Sequence, residues 1–303
     1  MLSTYLEKFS RQLRQHRFRP VLRRLRETVA AAPLDPRCHA ELSATLARAG
    51  HVYAAHATLR SAAFLRRTGD EISRAITEYR VDEGELICME HNQFFRFKSL
   101  SDRIRELSGG AHISVLDVGG GDGQLAQFLP EVSYFLVEPW VNGISGENLP
   151  FGDAAFDYVV SCHVLEHIPL RFRSVFLDSL MRRARRGLVL LNPFHDARTS
   201  VDARLRLFIK VTDAHWAKEH LECMLPELGM IREYAAERGI AIECQPNGFL
   251  PLSAAMVFSN YFCGRLGRTA DFRAINEYFN IHLFDLLNSA NCPNAYLITL
   301  THK

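Results

Sequence analysis

Nine residues, VLDVGGGDG from Val115 to Gly123, hold four glycines and two carboxylates. A glycine-rich turn after an apolar run lets a backbone close tightly on a ligand, most often a phosphate. Asp117 and Asp122 oppose that occupant. Two like charges about 6 Å apart at an effective dielectric near 20 repel by roughly 3 kcal/mol, before water and salt reduce it. The segment also fits G-x-G-x-x-A through Gly121, Gly123 and Ala126, so a dinucleotide is weighed here and disfavoured on charge. A zwitterionic or cationic ligand pays no such penalty.

The other chemistry-bearing residues follow at strand ends. Glu138 closes the apolar run SYFLVE, and His163, Glu166 and His167 stand in HVLEHIP. His195 lies in LLNPFHD, while His215 and His220 lie in DAHWAKEHLE. S-adenosylmethionine suits the acidic glycine loop, because it carries a sulfonium and an amino group and no phosphate. Methyl transfer from it is a direct displacement, which needs proximity and alignment, plus a base when the nucleophile is a hydroxyl.

These residues need a frame. HISVLDV, SYFLVE, FDYVVS and GLVLLN are short apolar runs suited to buried parallel strands, and helical segments near 170–185 and 216–238 alternate with them. That pattern predicts an α/β, doubly wound, Rossmann-like sheet over residues 111–303. IAIECQ and AYLITLTHK are expected to close it as an antiparallel pair around a helical insertion near 252–288. Residues 67–110 read as a helical connector ending at Gly109 and Gly110. Residues 1–66 read as wholly helical, punctuated by Pro20, Pro33 and Pro36. Two stretches superpose at a shift of 34–35 residues, Phe18 on Tyr53 and Leu25 on Leu59, which resembles tetratricopeptide units; an unrelated α-hairpin pair is the alternative. Every cofactor landmark lies after residue 112, so a chain shortened to begin near Gly69 is expected to keep the cofactor site.

Between 113 and 169 the sequence resembles the class I S-adenosylmethionine-dependent methyltransferases. LDVGGGDG, the strand-end Glu138 of FLVEPW, NLPFGDAAFDYVVS and HVLEHIP occur in the family's order and spacing. The resemblance implies a methyltransferase fold, S-adenosylmethionine as cofactor, and a cofactor set of Asp117, Gly119, Gly121, Asp122, Gly123, Glu138, Trp140, Asn148, Leu149 and Ser161. Glu138 would accept both ribose hydroxyls, and Trp140 would stack on adenine or serve as a packing residue. It also implies His163, just past its strand, as the leading catalytic candidate, with His195 and His220 behind it and His167 as a loop tie. Only 17 residues separate Glu138 from Phe156, too few for the usual helix-and-strand crossover; a short loop with at most a stub of strand should replace it. Shortened members of this kind often belong to glycan-building clusters, which points to O-methylation of a sugar, glycan or other hydroxylated small molecule.

Other readings compete. His163-x-x-Glu166-His167 resembles the E-x-x-E-H cation cluster of certain O-methyltransferases, but a single acid is a poor Mg²⁺ site, so no metal is expected. The same letters spell an inverted zinc-protease motif, on the wrong fold. The Asn/Asp-Pro-Pro-aromatic signature of base methylation is absent, which disfavours nucleic acid. An inactive methyltransferase-fold adaptor, binding a protein through its N-terminal helices, is the rival from another class; the intact glycine loop and Glu138 oppose it.

The 303 residues carry a net charge of +2, yet residues 1–30 set eight Lys/Arg against two Glu, a local +6. A solvated basic face, an anionic partner surface and a presequence all fit that patch. No run of 18 apolar residues occurs, and the seven cysteines are scattered without a C-x-x-C pair. They read as reduced thiols in a cytoplasmic protein.

Overall fold

Asp35 opens a helix by accepting the Arg37 N–H at 2.9 Å, with Pro36 at the first helical position, where its missing donor costs nothing. The helix, α2 (Pro36–Ala49), ends at Gly50 in the left-handed region, φ 86°. It lies between α1 (Leu2–Ala31) and α3 (Val52–Arg66). The computed structural model describes residues 2–66, 79–195, 201–222, 225–288 and 291–302. The helices expected over 1–66 are therefore present; their tandem repetition stays a reading of the sequence. Pro20 does not punctuate them. It sits inside α1, where Leu22, Leu25 and Val29 bury one face of the following turns and hold the helix past the lost hydrogen bond.

Two compact units divide the chain. The first comprises 1–83, 101–160 and 179–185; the second comprises 84–100, 161–178 and 186–303. In the first, β1 (Ser114–Val118) pairs in parallel with β2 (Ser133–Val137) on one side and β3 (Phe156–Cys162) on the other. Leu116 faces Phe135 and Val159 across the two ladders. The outer edge of β2 receives α3 rather than another strand: Leu136 N–H donates to Ser61 Oγ at 3.0 Å. Residues 54–62 of α3 are all buried, as befits a helix of small side chains between α2 and β2. Phe64 of α3 stacks on Phe156 of β3, centroids 4.8 Å apart, and Phe135 and Phe151 close the aromatic cluster edge-on. Between β2 and β3 there is one short helix, Pro139–Asn142, and no strand.

In the second unit the order is β4-β6-β5, with β6 (Ala295–Thr301) antiparallel to both β4 (Ala184–Asn192) and β5 (Ala241–Asn247). The closing antiparallel pair thus lies where the sequence placed it. The insertion is two helices, Leu250–Arg265 and Thr269–His282. Asn276 and Asn280 fasten the second to His91: Asn276 Oδ1 accepts its backbone N–H at 2.7 Å, and Asn280 Oδ1 meets its Nδ1 at 2.9 Å. Six described strands with helices between them make the fold α/β. No helix among the described residues is long and apolar enough to cross a membrane.

Candidate functional site

β1 delivers Asp117 to the start of the glycine loop, and the loop bends back because three of its glycines, Gly119, Gly121 and Gly123, adopt φ of 75°, 55° and 73°. Gly119 N–H donates to Val137 O at 2.8 Å, which joins the loop to the end of β2. The helix expected after the loop is a single turn, Leu125–Phe128. Gly123 is doubly constrained. A Cβ there would stand 2.4 Å from Ala57 Cβ of α3, quite apart from its positive φ.

Glu138 is buried and holds the loop from below. Its Oε2 accepts Gly121 N–H at 3.0 Å and its Oε1 accepts Trp140 N–H at 3.2 Å. Each carboxylate oxygen has a second lone-pair direction, so two acceptor positions are left over. Burial raises the Glu138 pKa, the two backbone donors lower it, and the nearby Asp122 charge adds to the net rise.

Asp117 is deeper still. Tyr134 of β2 donates its hydroxyl to Asp117 Oδ2 at 2.5 Å, while Oδ1 is buried without a hydrogen-bond partner. Burial pushes this carboxyl up to about 7 against the lowering effect of the tyrosine, and the Glu138 charge contributes to the rise. Behind Tyr134, the buried Arg60 guanidinium sits 5.2 Å from the ring centroid and donates to Ala126 O at 2.5 Å and to Val132 O. Tyr134, Ala57, Arg60 and Ser61 were not read as site residues. Tyr134 alone left a signal, a polar-tipped side chain within an otherwise apolar strand.

The remaining cofactor candidates of this unit differ in exposure. Asp122 and Asn148 are exposed and Leu149 is buried. Asn148 N–H donates to Ser145 O at 3.2 Å, which shapes the turn before Leu149. Trp140 is 82% exposed and lines an open groove with residues of α1.

These features test the fit of S-adenosylmethionine. An unpaired buried oxygen on Asp117 suits a cationic amino group, and the Glu138 acceptors suit vicinal hydroxyls. A loop whose packed neighbours exclude a Cβ at Gly123 suits close approach to the backbone. The residues fit.

The second unit holds its own polar cluster. His163, immediately after β3, has φ 56°, a left-handed backbone that a non-glycine residue adopts at a cost. Its Nδ1 lies 3.3 Å from Glu166 Oε1, and its side chain is 20% exposed while that of Glu166 is wholly buried. Asn192 at the end of β4 donates to Glu166 Oε2. Burial alone would raise the Glu166 carboxyl, but the hydrogen bond and charge of His163 outweigh it and hold the pKa down at about 2. Ser161 is buried and His167 exposed. His195 is exposed and makes backbone contacts instead, its N–H on Pro226 O at 2.9 Å and a bridge to Glu227. His220 falls within the helix His215–Glu222; its side chain lies outside the described residues.

A family model described as a methyltransferase domain matches residues 89–249, more than half of the chain. No curated protein matches the sequence. Among solved structures, the YcgJ protein of Bacillus subtilis is 16% identical, with 68% of this chain and 99% of that one covered and a TM-score of 0.39. A SAM-dependent methyltransferase of Thermotoga maritima is 17% identical over 76% and 97%, with a TM-score of 0.42. A Haemonchus contortus phosphoethanolamine N-methyltransferase 2, solved with S-adenosylhomocysteine, is 15% identical over 68% and 52%, with a TM-score of 0.43.

Proposed function

The chain belongs to the methyltransferase-domain family and is an S-adenosylmethionine-dependent methyltransferase, and we propose that its acceptor is a hydroxyl on a sugar, glycan or other hydroxylated small molecule. S-adenosylmethionine, when bound, supplies a methyl group on a positively charged sulfur, ready for direct displacement. In this reading the Asp117 carboxylate and the backbone of Gly119, Gly121 and Gly123 receive its amino-acid end, Glu138 receives its ribose, and Asn148 and Leu149 border its base.

The observation that carries the choice of a hydroxyl is the ion pair of His163 with buried Glu166 at 3.3 Å. A hydroxyl is a weak nucleophile until a base takes its proton, whereas a neutral amine attacks unaided. Glu166 facing Nδ1 fixes the tautomer with the proton on that nitrogen, so Nε2 is the basic one. The carboxylate then stabilises the imidazolium that forms once the acceptor's proton arrives at Nε2. Asn192 keeps Glu166 turned toward His163. Glu166 thus turns one oxygen to Asn192 and the other to His163, which supports a role in holding the base. The free cysteines fit a cytoplasmic setting.

The test is transfer of labelled methyl from S-adenosylmethionine to a panel of sugars, glycans, phenols and amines. Turnover on hydroxylated compounds, lost in His163→Ala, is expected. Turnover confined to amines, or undiminished in the variant, would sink the proposal.

A further inference from the structure

α1 and the short helix after Glu138 flank an open groove of about 740 Å³ in the first unit, lined by Arg19, Arg23, Arg26 and Glu27 from α1 and by Pro139 and Trp140 opposite. Its size lies within the range of small-molecule sites, about 300–1,000 Å³. The wall approach is fixed by packing. Gly143 sits so near α1 that a Cβ would stand 2.4 Å from Arg26 O, and Arg26 Nε donates to Val141 O at 3.3 Å.

Three arginines border the groove, whose exposed lining is mostly apolar and includes the flat Trp140 indole. Arg19, Arg23 and Arg26 follow i, i+4, i+7 spacing and so share one helix face over about 10 Å. Arg23 gives its Nε to Glu27 at 3.2 Å and Arg26 gives its Nε to Val141 O, and the outer nitrogens of both guanidinium groups make no hydrogen bond to a described residue. Among the described lining residues Glu27 is the only acid, set against three arginines. Across from them the Trp140 indole is 82% exposed and makes no ring or cation contact with a described residue. An open indole beside forked guanidinium groups is the pairing that takes a planar base by stacking and a phosphate by bidentate hydrogen bonds.

We propose that this groove binds a nucleoside diphosphate, its base on Trp140 and its phosphates on Arg19, Arg23 and Arg26. The short run of three arginines and the single indole favour one nucleotide over a nucleic-acid strand, which needs a continued track of bases and phosphates. The lining shares no residue with Asp117, Glu138 or the glycine loop, although the Trp140 backbone N–H is bonded to Glu138, and the proposal assigns the Trp140 ring to this ligand rather than to the cofactor's adenine. It does not depend on which acceptor is methylated.

The experiment is calorimetric titration of the full chain, saturated with S-adenosylhomocysteine, with ADP, UDP, inorganic pyrophosphate, uridine and a single-stranded RNA 20-mer. The diphosphates should bind in the micromolar range, with pyrophosphate and uridine each at least tenfold weaker. Arg19→Ala, Arg23→Ala and Trp140→Ala should each weaken ADP and UDP at least fivefold, and S-adenosylmethionine affinity should be unchanged in the two arginine variants. Absence of diphosphate binding at millimolar concentration would overturn the proposal. So would diphosphate binding seen only without S-adenosylhomocysteine, indifference to the three substitutions, or binding of the RNA alone. Pyrophosphate binding as tight as UDP would overturn the nucleoside assignment.

Discussion

Tyr134 of β2 reaches diagonally across to Asp117 of the neighbouring parallel strand β1, and its hydroxyl donates to that carboxylate at 2.5 Å in a setting closed to water. The tyrosine is in turn covered by Arg60 from the N-terminal helices. The carboxylate at the head of the glycine loop is therefore held by a tyrosine that is itself packed under a helix far away in the sequence.

A pH dependence follows from Asp117. Its folded-state pKa stands near 7 against an ordinary 3.8. A raised acid favours the folded state while protonated, so this contribution is full below the ordinary value and is lost as the pH climbs through 7. Asp117→Asn, neutral throughout, should raise the melting temperature of the cofactor-free protein more at pH 8 than at pH 5. It should also weaken S-adenosylmethionine, whose amino group loses its carboxylate. Equal thermal shifts at the two pH values would contradict the assignment.

Glu138→Ala should weaken S-adenosylmethionine by roughly 2 kcal/mol or more, the scale of lost charge-assisted hydrogen bonds. The same change frees the N–H groups of Gly121 and Trp140, so stability falls as well. Calorimetry and thermal melting separate the two effects. Unaltered affinity would remove Glu138 from the cofactor site.

Gly123→Ala combines a strained φ of 73° with a 2.4 Å collision on Ala57, and a loss of about 1–3 kcal/mol from the backbone strain alone is expected. Adding Ala57→Gly should recover part of the loss, because it removes the collision and leaves the strain. Denaturant unfolding of the single and double variants gives the coupling. Independent effects would mean that α3 does not press on the loop.

Much of this frame was legible, for identifiable reasons. Strands buried on both faces must be apolar runs, so SYFLVE and FDYVVS were visible without context, and a strand-end acid such as Glu138 stands out against them. The role of α3 was not legible. Ala57, Arg60 and Ser61 look like an ordinary alanine-rich helix, and their partners lie 66 to 75 residues away. No local pattern encodes a hydroxyl that satisfies the edge of a distant strand. Pro20 misled for the opposite reason: its local preference is strong, and the packing of Leu22, Leu25 and Val29 overrides it.

His163→Ala should lower turnover about 100-fold or more and leave the affinity for S-adenosylmethionine nearly unchanged, the pattern of a lost general base. Glu166→Gln should lower turnover less and shift the acidic limb of the pH–rate profile. A chelator should have no effect. Abolition by chelator with rescue by Mg²⁺ or Mn²⁺ would recast His163 and Glu166 as metal ligands.

A chain shortened to begin near Gly69 should fold poorly and bind no S-adenosylmethionine, the reverse of what the position of the cofactor landmarks suggests. It lacks Ser61 on the edge of β2, Ala57 against the loop and Arg60 over Tyr134. Circular dichroism together with cofactor titration decides the matter. A folded, binding-competent fragment would show that α1–α3 are dispensable.

The bond from Arg60 to Val132 crosses 72 residues of chain. During synthesis α3 leaves the ribosome well before β2 exists. At about 5–20 residues per second the wait is on the order of 4–14 s. Through that interval the nascent chain carries an unmatched guanidinium and a bare alanine face, which makes this stretch the natural point for a chaperone to attend and for misassembly between neighbouring nascent chains to begin.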